Sequence, residues 1–453
     1  MNALLSFVVD ATQGVLHGQD CAFNGVSTDT RTLEKGELYV ALSGPNFDGN
    51  EFVERAQEKG AAGAIVSALT KADVAQIVVD DTRLALGQLA AAWRDRRSLT
   101  VVGITGSNGK TTLKEMVAAC LSSVAPTLAT QGNLNNDIGM PLMMSRIDDS
   151  HKFAVLEMGA NHAGEIAYLT SLAKPNIVAI TNAAAAHLEG FGSIEGVAHA
   201  KAEILQGEPA PDVAILNADD EYYTYWMSLC EGFDVLSFGV NDHADIRADQ
   251  IETGKGRTHF TMHLLDTSIE VTLPLAGQHN VRNACAAAAV ASSLGVSSED
   301  IKKALESLRP VAGRLQPLLG QNGATLYDDS YNANPLSVIA AAEFLASLPG
   351  KSWFVLGDMF ELGDSAEKLH NDVGASIQEA GVDRLFTFGE LSREAAEGFG
   401  EDAKSFDSLD ALVEDLSSSM SDDINLLIKG SRGMRMERVV EALRMDAARS
   451  DGS

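Results

Sequence analysis

Short, uniformly apolar runs alternate along this chain with stretches in which apolar residues return every three or four positions. In the first part, residues 1–82, ELYVAL (37–42) reads as a strand. A helix is predicted from Asn50 to Lys59, closed by Gly60, and is followed by the apolar strand AGAIV. QIVVDD (76–81) is a further strand. Strands alternating with helices predict a small sheet with helices packed on it.

A second unit, residues 83–312, opens with the buried strand LTVVGIT. In the next segment Leu113, Met116, Val117, Cys120 and Leu121 recur at helical spacing and form one apolar face. FAVLEM, IVAIT and VAILNAD are strands apolar on both faces, as in a parallel sheet covered on both sides. RTHFTMHL and SIEVTLPL alternate, which predicts an antiparallel pair at the sheet edge. A helix from His279 to Ser293 closes on Gly295. RPVAGRLQP (309–317) reads as a linker. The last unit, 313–453, alternates again: TLYDDS, SWFVLGD, RLFTFG and INLLIKGS are strands. Its final helix carries Met436, Val439, Val440 and Leu443 on one face. The pattern is a second doubly wound α/β domain.

The chain has 453 residues, 45% of them hydrophobic and 21% charged, an ordinary globular balance that leaves no room for a fibrous or disordered class. Its net charge of −29 repels phosphate backbones, which argues against nucleic acid as a partner. An anionic substrate must therefore be caught by a few local cations and backbone N–H groups. Four dispersed cysteines with no C-x-x-C pair predict reduced thiols and a cytoplasmic setting. The N-terminus lacks the basic region of a signal peptide, and no apolar run approaches the ~20 residues of a membrane span.

The strongest chemical signal is GITGSNGKTT (103–112), between a buried strand and an amphipathic helix. Gly106, Ser107, Asn108 and Gly109 allow a tight turn whose N–H groups point at a phosphate, reinforced by the helix N-terminus. Lys110 reaches the outer phosphates of an NTP, the hydroxyl of Thr111 suits Mg²⁺, and Thr112 continues the loop into the helix. Ile104 occupies the place of the first glycine in the common form of this loop, which turns the reading away from motor and switch GTPases.

Glu157 ends an apolar strand beside that loop, a position suited to Mg²⁺. His187 lies in a Gly-containing loop after the next strand; by itself it reads as packing or surface. Lys201, in AHAKAEIL beside Glu203, reads on its own as a solvated helical lysine.

Taken in order, GITGSNGKTT, TQGNLNNDIGMP, LEMGAN, the His187 loop, AKAEI, NADD, GQHNVRNA, AGRL and DDSYNANP resemble the Mur ligase superfamily. GNLNNDIG, DDSYNANP, VLGDMFELG and IKGSRGMRME are similar to the branch that adds D-Ala-D-Ala. The resemblance covers nearly the whole chain. It implies an α/β protein of three domains, in which a central P-loop ATPase parallel sheet is flanked by a small UDP-binding N-terminal domain and a C-terminal Rossmann-like domain. It also implies a monomeric ATP-dependent ligase that joins D-Ala-D-Ala to UDP-MurNAc-tripeptide through an acyl phosphate, in the cytoplasm and without membrane insertion.

The same resemblance implies that Lys201 is carbamylated by CO₂ and joins Thr111, Glu157 and His187 around two Mg²⁺ ions. Asn280 and Asn283 fall on the adenine side of ATP, although both also suit helix capping. Arg314 and Asp329 reach the ribose and phosphates from the last domain. Thr30, Arg31 and Asn46, in STDTRTLEKGELYVAL and SGPNFDGNEF, meet the uracil or pyrophosphate. Asn133, Asn135 and Asn136 line the route of the muramoyl peptide. Asn332, Asn334, Lys429, Ser431 and Arg432 handle the incoming dipeptide, with Lys429 and Arg432 also readable as surface cations. Two other readings stay open: a sister amide ligase, such as another muramoyl-peptide ligase or folylpolyglutamate synthase, or a nucleotide-gated binding protein. The NNDIG and SYNANP segments speak against a sister enzyme.

Overall fold

The structure, a computed structural model, describes residues 1–254, 256–309 and 311–445. The N-terminal sheet holds strands β1 (Val15–His17), β2 (Val26–Ser27), β3 (Leu38–Val40), β4 (Gly63–Val66) and β5 (Ala75–Val78). Their spatial order is β1-β5-β4-β3-β2; β1 is antiparallel to β5 and the other pairs are parallel. Helices α1 (Leu5–Thr12) and α2 (Val53–Glu58) belong to this unit. The segment expected to be helical from Asn50 starts as a 3-10 turn, Gly49–Phe52, because Asp48 caps it by accepting from the Asn50 N–H.

Helix α3 (Thr82–Asp95) was not anticipated from the sequence. Asp81 caps it, accepting from the N–H groups of Arg83 and Leu84. Its buried face, Ala85, Leu86, Leu89, Ala90 and Trp93, joins one apolar cluster that runs from Leu5 and Ile65 to Met140 and Leu169. The cores of the first two units are therefore continuous through α3.

The central sheet is built from β6 (Thr100–Thr105), β7 (Thr127–Ala129), β8 (Phe153–Glu157), β9 (Ile177–Ile180), β10 (Val213–Asn217), β11 (Asp234–Gly239), β12 (Ile246–Gly254), β13 (Arg257–His263) and β14 (Ser268–Leu273). Their order is β7-β8-β6-β9-β10-β11-β12-β13-β14. It is parallel through β12, and β13 and β14 form the expected antiparallel edge. Strand β12 escaped the sequence reading because much of it is polar and exposed, so no apolar run marks it. Along β9, Val178 and Ile180 point into one core while Ile177 and Ala179 point into the other. That period of two, with both faces covered, is why these strands are apolar throughout. Helices α4 (Lys110–Ser122), α5 (Gly139–Met144), α6 (Glu165–Ala173), α7 (Leu188–Phe191), α8 (Ile194–Ala202), α9 (Tyr223–Met227), α10 (Gln278–Ser293) and α11 (Ser298–Glu306) complete the unit.

The third sheet has β15 (Gln316–Leu319), β16 (Thr325–Asp329), β17 (Lys351–Gly357), β18 (Arg384–Phe388), β19 (Ala403–Phe406) and β20 (Ile424–Lys429), in the order β15-β16-β20-β17-β18-β19. Only β15 runs antiparallel, against β16. The predicted linker 309–317 thus runs into β15; its Pro310 lies outside the described residues. Helices α12 (Pro335–Ala346), α13 (Ala366–Glu379), α14 (Ser392–Phe399), α15 (Leu409–Ser419) and α16 (Glu437–Leu443) flank this sheet. Among the described residues no helix is long and apolar enough to cross a membrane. All four cysteines are free, with Cys120 and Cys285 buried and Cys21 and Cys230 half-buried.

Candidate active site

The C-terminal edges of the central and third sheets face one another across a cavity of about 800 Å³. Strand ends in doubly wound sheets are where ligands collect. Here the loops after β6, β8, β9 and β10 meet those after β16, β17 and β20.

The loop between β6 and α4 is pinned from β9. The Ser107 N–H donates to the Asn182 carbonyl at 3.0 Å, and the Asn108 N–H donates to Asn182 Oδ1 at 3.0 Å. Thr181 Oγ1 donates to the Asn108 carbonyl at 2.6 Å. Gly106 has φ +141° and Gly109, the N-cap of α4, has φ +80°. A Cβ on Gly106 would lie 1.9 Å from Thr181 Oγ1. Gly106→Ala therefore displaces the loop, and strain of about 1–3 kcal/mol weakens ATP binding about tenfold or more, measurable by titration calorimetry.

Lys110 folds over its own loop, its ammonium donating to the carbonyls of Gly106 (2.6 Å) and Ser107 (3.2 Å). Burial lowers its pKa, against the opposing pull of Glu157. Thr111 Oγ1 donates to Glu157 Oε2 at 2.9 Å, and Glu157 Oε1 accepts from Asn135 Nδ2 at 2.8 Å. Glu157 is 3% exposed. A hydroxyl and a carboxylate side by side at a phosphate loop are an oxygen donor set suited to Mg²⁺.

Lys201 is the largest departure from what its local sequence suggests. It is 2% exposed rather than solvated. Its Nζ lies 5.1 Å from the centre of the Phe191 ring and makes no ion pair among the described residues. Burial first, then Lys110, pushes its pKa down to about 7. His187 has φ +55° and pairs through Nδ1 with Glu361 of the third domain.

Asn280 and Asn283 are buried in the first turns of α10, but Gly277 is the N-cap, so neither asparagine caps the helix. Asn280 Nδ2 donates to the Ala276 carbonyl, and the Asn283 amide packs against Gly109. Asn136 Oδ1 accepts from the N–H groups of Ile138 and Gly139, shaping the turn into α5. Asn133 and Asn135 line the cavity with it.

The third domain reaches in at several points. Arg314 Nη2 donates to Thr111 Oγ1 at 2.8 Å while its guanidinium stacks over Tyr331. Asn108 and Asn334 exchange amide hydrogen bonds of 3.3 and 2.7 Å. Asn334 also caps α12 in a reciprocal bond with Ser337. Asp329 holds Lys429 at 2.6 Å, and that lysine, 4% exposed, is no surface cation. Lys429 also donates to the Asn332 carbonyl. Ser431 is buried and accepts from the Phe360 N–H. Arg432 lines the cavity but stays exposed, paired with Glu437.

Thr30, Arg31 and Asn46 are not brought to this cavity. Thr30 is buried, Arg31 is exposed and paired with Asp29 at 2.6 Å, and Asn46 is exposed, all on the N-terminal domain. The cavity also contains residues that the sequence reading passed over. Arg282 pairs with Asp219 at 2.6 Å, and His279 has a pKa pushed down to about 4 by burial, then by Lys429 and Arg282. The His279 imidazole is therefore neutral at physiological pH. GQHNVRNA held both residues, but with no spacing that distinguishes them from helix surface.

Three family descriptions match in chain order: "Mur ligase family, catalytic domain" over residues 22–94, "Mur ligase middle domain" over 104–291, and "Mur ligase, glutamate ligase domain" over 313–432. The chain belongs to the Mur ligase family, and it is a peptide-bond-forming ligase. The UDP-N-acetylmuramoyl-tripeptide–D-alanyl-D-alanine ligase of Escherichia coli (strain K12) is 44% identical to it over 448 residues, 98% of each chain. The Bacillus subtilis (strain 168) protein of the same name is 38% identical over 94% of each. The crystal structure of MurF from Acinetobacter baumannii superposes with a TM-score of 0.92 at 38% identity, covering 97% of this chain and 98% of that one. MurF from Thermotoga maritima in complex with ADP gives a TM-score of 0.80 at 28% identity, over 92% and 96%.

Proposed function

We propose that this ligase joins the amine of D-Ala-D-Ala to the terminal carboxylate of UDP-MurNAc-tripeptide, consuming ATP, in the cytoplasm. The observation that carries the reading is the junction of a phosphate loop with side chains of the third domain, Arg314 on Thr111 and Asn334 on Asn108, in a chain alike from end to end to ligases of that name.

A carboxylate does not condense with an amine in water, because oxide is too poor a leaving group. Its oxygen attacks the γ-phosphorus of ATP, ADP departs, and an acyl phosphate results. The amine then attacks the carbonyl carbon, the tetrahedral intermediate expels phosphate, and the amine's proton is lost. Lys110, the loop N–H groups and Arg314 offset the crowding of anions in both steps. Asn280 and Asn283 serve the adenine side; Asp329 fixes Lys429 and the Arg314 segment through the Leu315 N–H. Docking of the third domain excludes water that would hydrolyse the acyl phosphate.

Thr111, Glu157, His187 and Lys201 as its carbamate would hold magnesium. Bound Mg²⁺ would neutralise phosphate charge as it develops. A buried lysine with no ion pair among the described residues supports carbamylation, since the neutral amine is the form that adds CO₂. Thr30, Arg31 and Asn46 are assigned to the UDP end of the substrate. Asn133, Asn135 and Asn136 are assigned to its peptide, and Asn332, Asn334, Lys429, Ser431 and Arg432 to the dipeptide.

Mass spectrometry of products from ATP, D-Ala-D-Ala and UDP-MurNAc-tripeptides ending in diaminopimelate or lysine tests the proposal. A pentapeptide product with phosphate released only when both substrates are present is expected. Phosphate release with ATP alone and no new amide contradicts it.

A further inference from the structure

The segment VLGDMFELG carries no role in the chemistry above, yet it holds a non-glycine residue in the left-handed region. Glu361 has φ +63°, a conformation that costs a residue with a side chain. The loop delivering it is held at successive positions. The Asp358 carboxylate accepts from the N–H groups of Glu390 (3.1 Å) and Ser392 (2.7 Å), and its carbonyl accepts from the Ser431 N–H at 3.0 Å. The Met359 N–H donates to Nε2 of the fully buried His370 at 2.9 Å, and the Phe360 N–H donates to Ser431 Oγ at 2.8 Å. The three residues before Glu361 are thus each anchored, which aims the loop at the central domain.

What Glu361 meets is His187, itself at φ +55°. The carboxylate pairs with His187 Nδ1, and the Glu361 carbonyl accepts the Glu189 N–H at 3.3 Å. Two left-handed, non-glycine residues thus meet across the boundary between the central and third domains. An ionised carboxylate only accepts, so Nδ1 is the donating nitrogen, and in a neutral imidazole so held the Nε2 lone pair is the one left for a ligand. That tautomer is the one a metal can use, and a carboxylate behind a ligating imidazole makes it a stronger donor. Imidazole is otherwise a weak choice for a hard cation such as Mg²⁺.

We propose that Glu361 is a positioning residue which, on docking of the third domain, fixes the tautomer and direction of His187 and so completes the magnesium shell only in the closed enzyme. The inference rests on the assignment of His187 to that shell. Closure and metal binding then reinforce each other, because the same contact serves both.

The test uses full-length protein with Mn²⁺ as probe and a non-hydrolysable ATP analogue, comparing wild type with Glu361→Ala, Glu361→Gln and His187→Ala. Electron paramagnetic resonance gives Mn²⁺ affinity, and electron spin-echo modulation reports a coordinated imidazole nitrogen. Glu361→Ala is expected to weaken Mn²⁺ by about 10–100-fold and to diminish the nitrogen modulation. Glu361→Gln, nearly the same size and still able to accept through its carbonyl, loses less, and it keeps the test open if the alanine variant folds poorly. Wild-type affinity and modulation in both Glu361 variants, with both lost in His187→Ala, overturns the positioning role and leaves the metal assignment standing. An unchanged signal in His187→Ala overturns the metal assignment itself.

Discussion

Lys110→Ala lowers turnover by about 10²–10³-fold or more, the loss typical when one preorganised donor to a developing anion is removed. Among the described residues the site gives no substitute. Lys110 lies at the start of α4, its ammonium already folded over the loop by the carbonyls of Gly106 and Ser107. The other nearby cation that reaches the loop, Arg314, is committed to Thr111 and stacked on Tyr331. A chain of net charge −29 supplies no general positive field to make up the difference. Steady-state kinetics with both substrates saturating checks the prediction. The loss should fall on kcat, since the charge to be stabilised grows during phosphoryl transfer. Turnover near that of the wild type would remove Lys110 from the chemistry.

Lys201→Ala abolishes nearly all activity, and added short carboxylates such as formate or acetate restore part of it. An ammonium kept from water is costly, and burial first, then Lys110, brings its pKa down to about 7. As a carbamate the same arm becomes an anion with two oxygens, the ligand type magnesium prefers. Truncation removes the arm and leaves room that a small carboxylate fills. Rates measured against carboxylate concentration give the rescue. Full activity in the unsupplemented variant would show that no carbamate is needed.

Much of this architecture is legible in the sequence because its cause is local. The inner parallel strands of the central sheet, such as Phe153–Glu157 and Ile177–Ile180, are almost wholly apolar since both faces are covered, and GITGSNGKTT sits between strand and helix as a phosphate loop requires. What stays hidden depends on neighbours distant in the chain. Lys201 reads as solvated because a lysine beside Glu203 is the ordinary surface pattern. The folded chain instead buries α8 along Val197, Ala198, Ala200 and Ala202, and the lysine with it. The alanines around it were the available signal: small residues let a helix pack closely over a wide arc, here leaving Glu195 and His199 exposed. Strand β12 and helix α3 were missed for the opposite reasons, one being polar and exposed and the other lying across a domain boundary. Glu361 falls inside VLGDMFELG, but nothing local gives it a role, since its meaning comes from His187, 174 positions away. The asparagines of GQHNVRNA were open between capping and binding until Gly277 proved to be the cap.

The most direct measurement follows oxygen. With ¹⁸O in the terminal carboxylate of UDP-MurNAc-tripeptide, a complete turnover with ATP and D-Ala-D-Ala should deliver one ¹⁸O atom into the inorganic phosphate released, because that oxygen bridges carbon and phosphorus in the acyl phosphate. Amide formation with no label in phosphate would contradict activation of the acid by phosphoryl transfer.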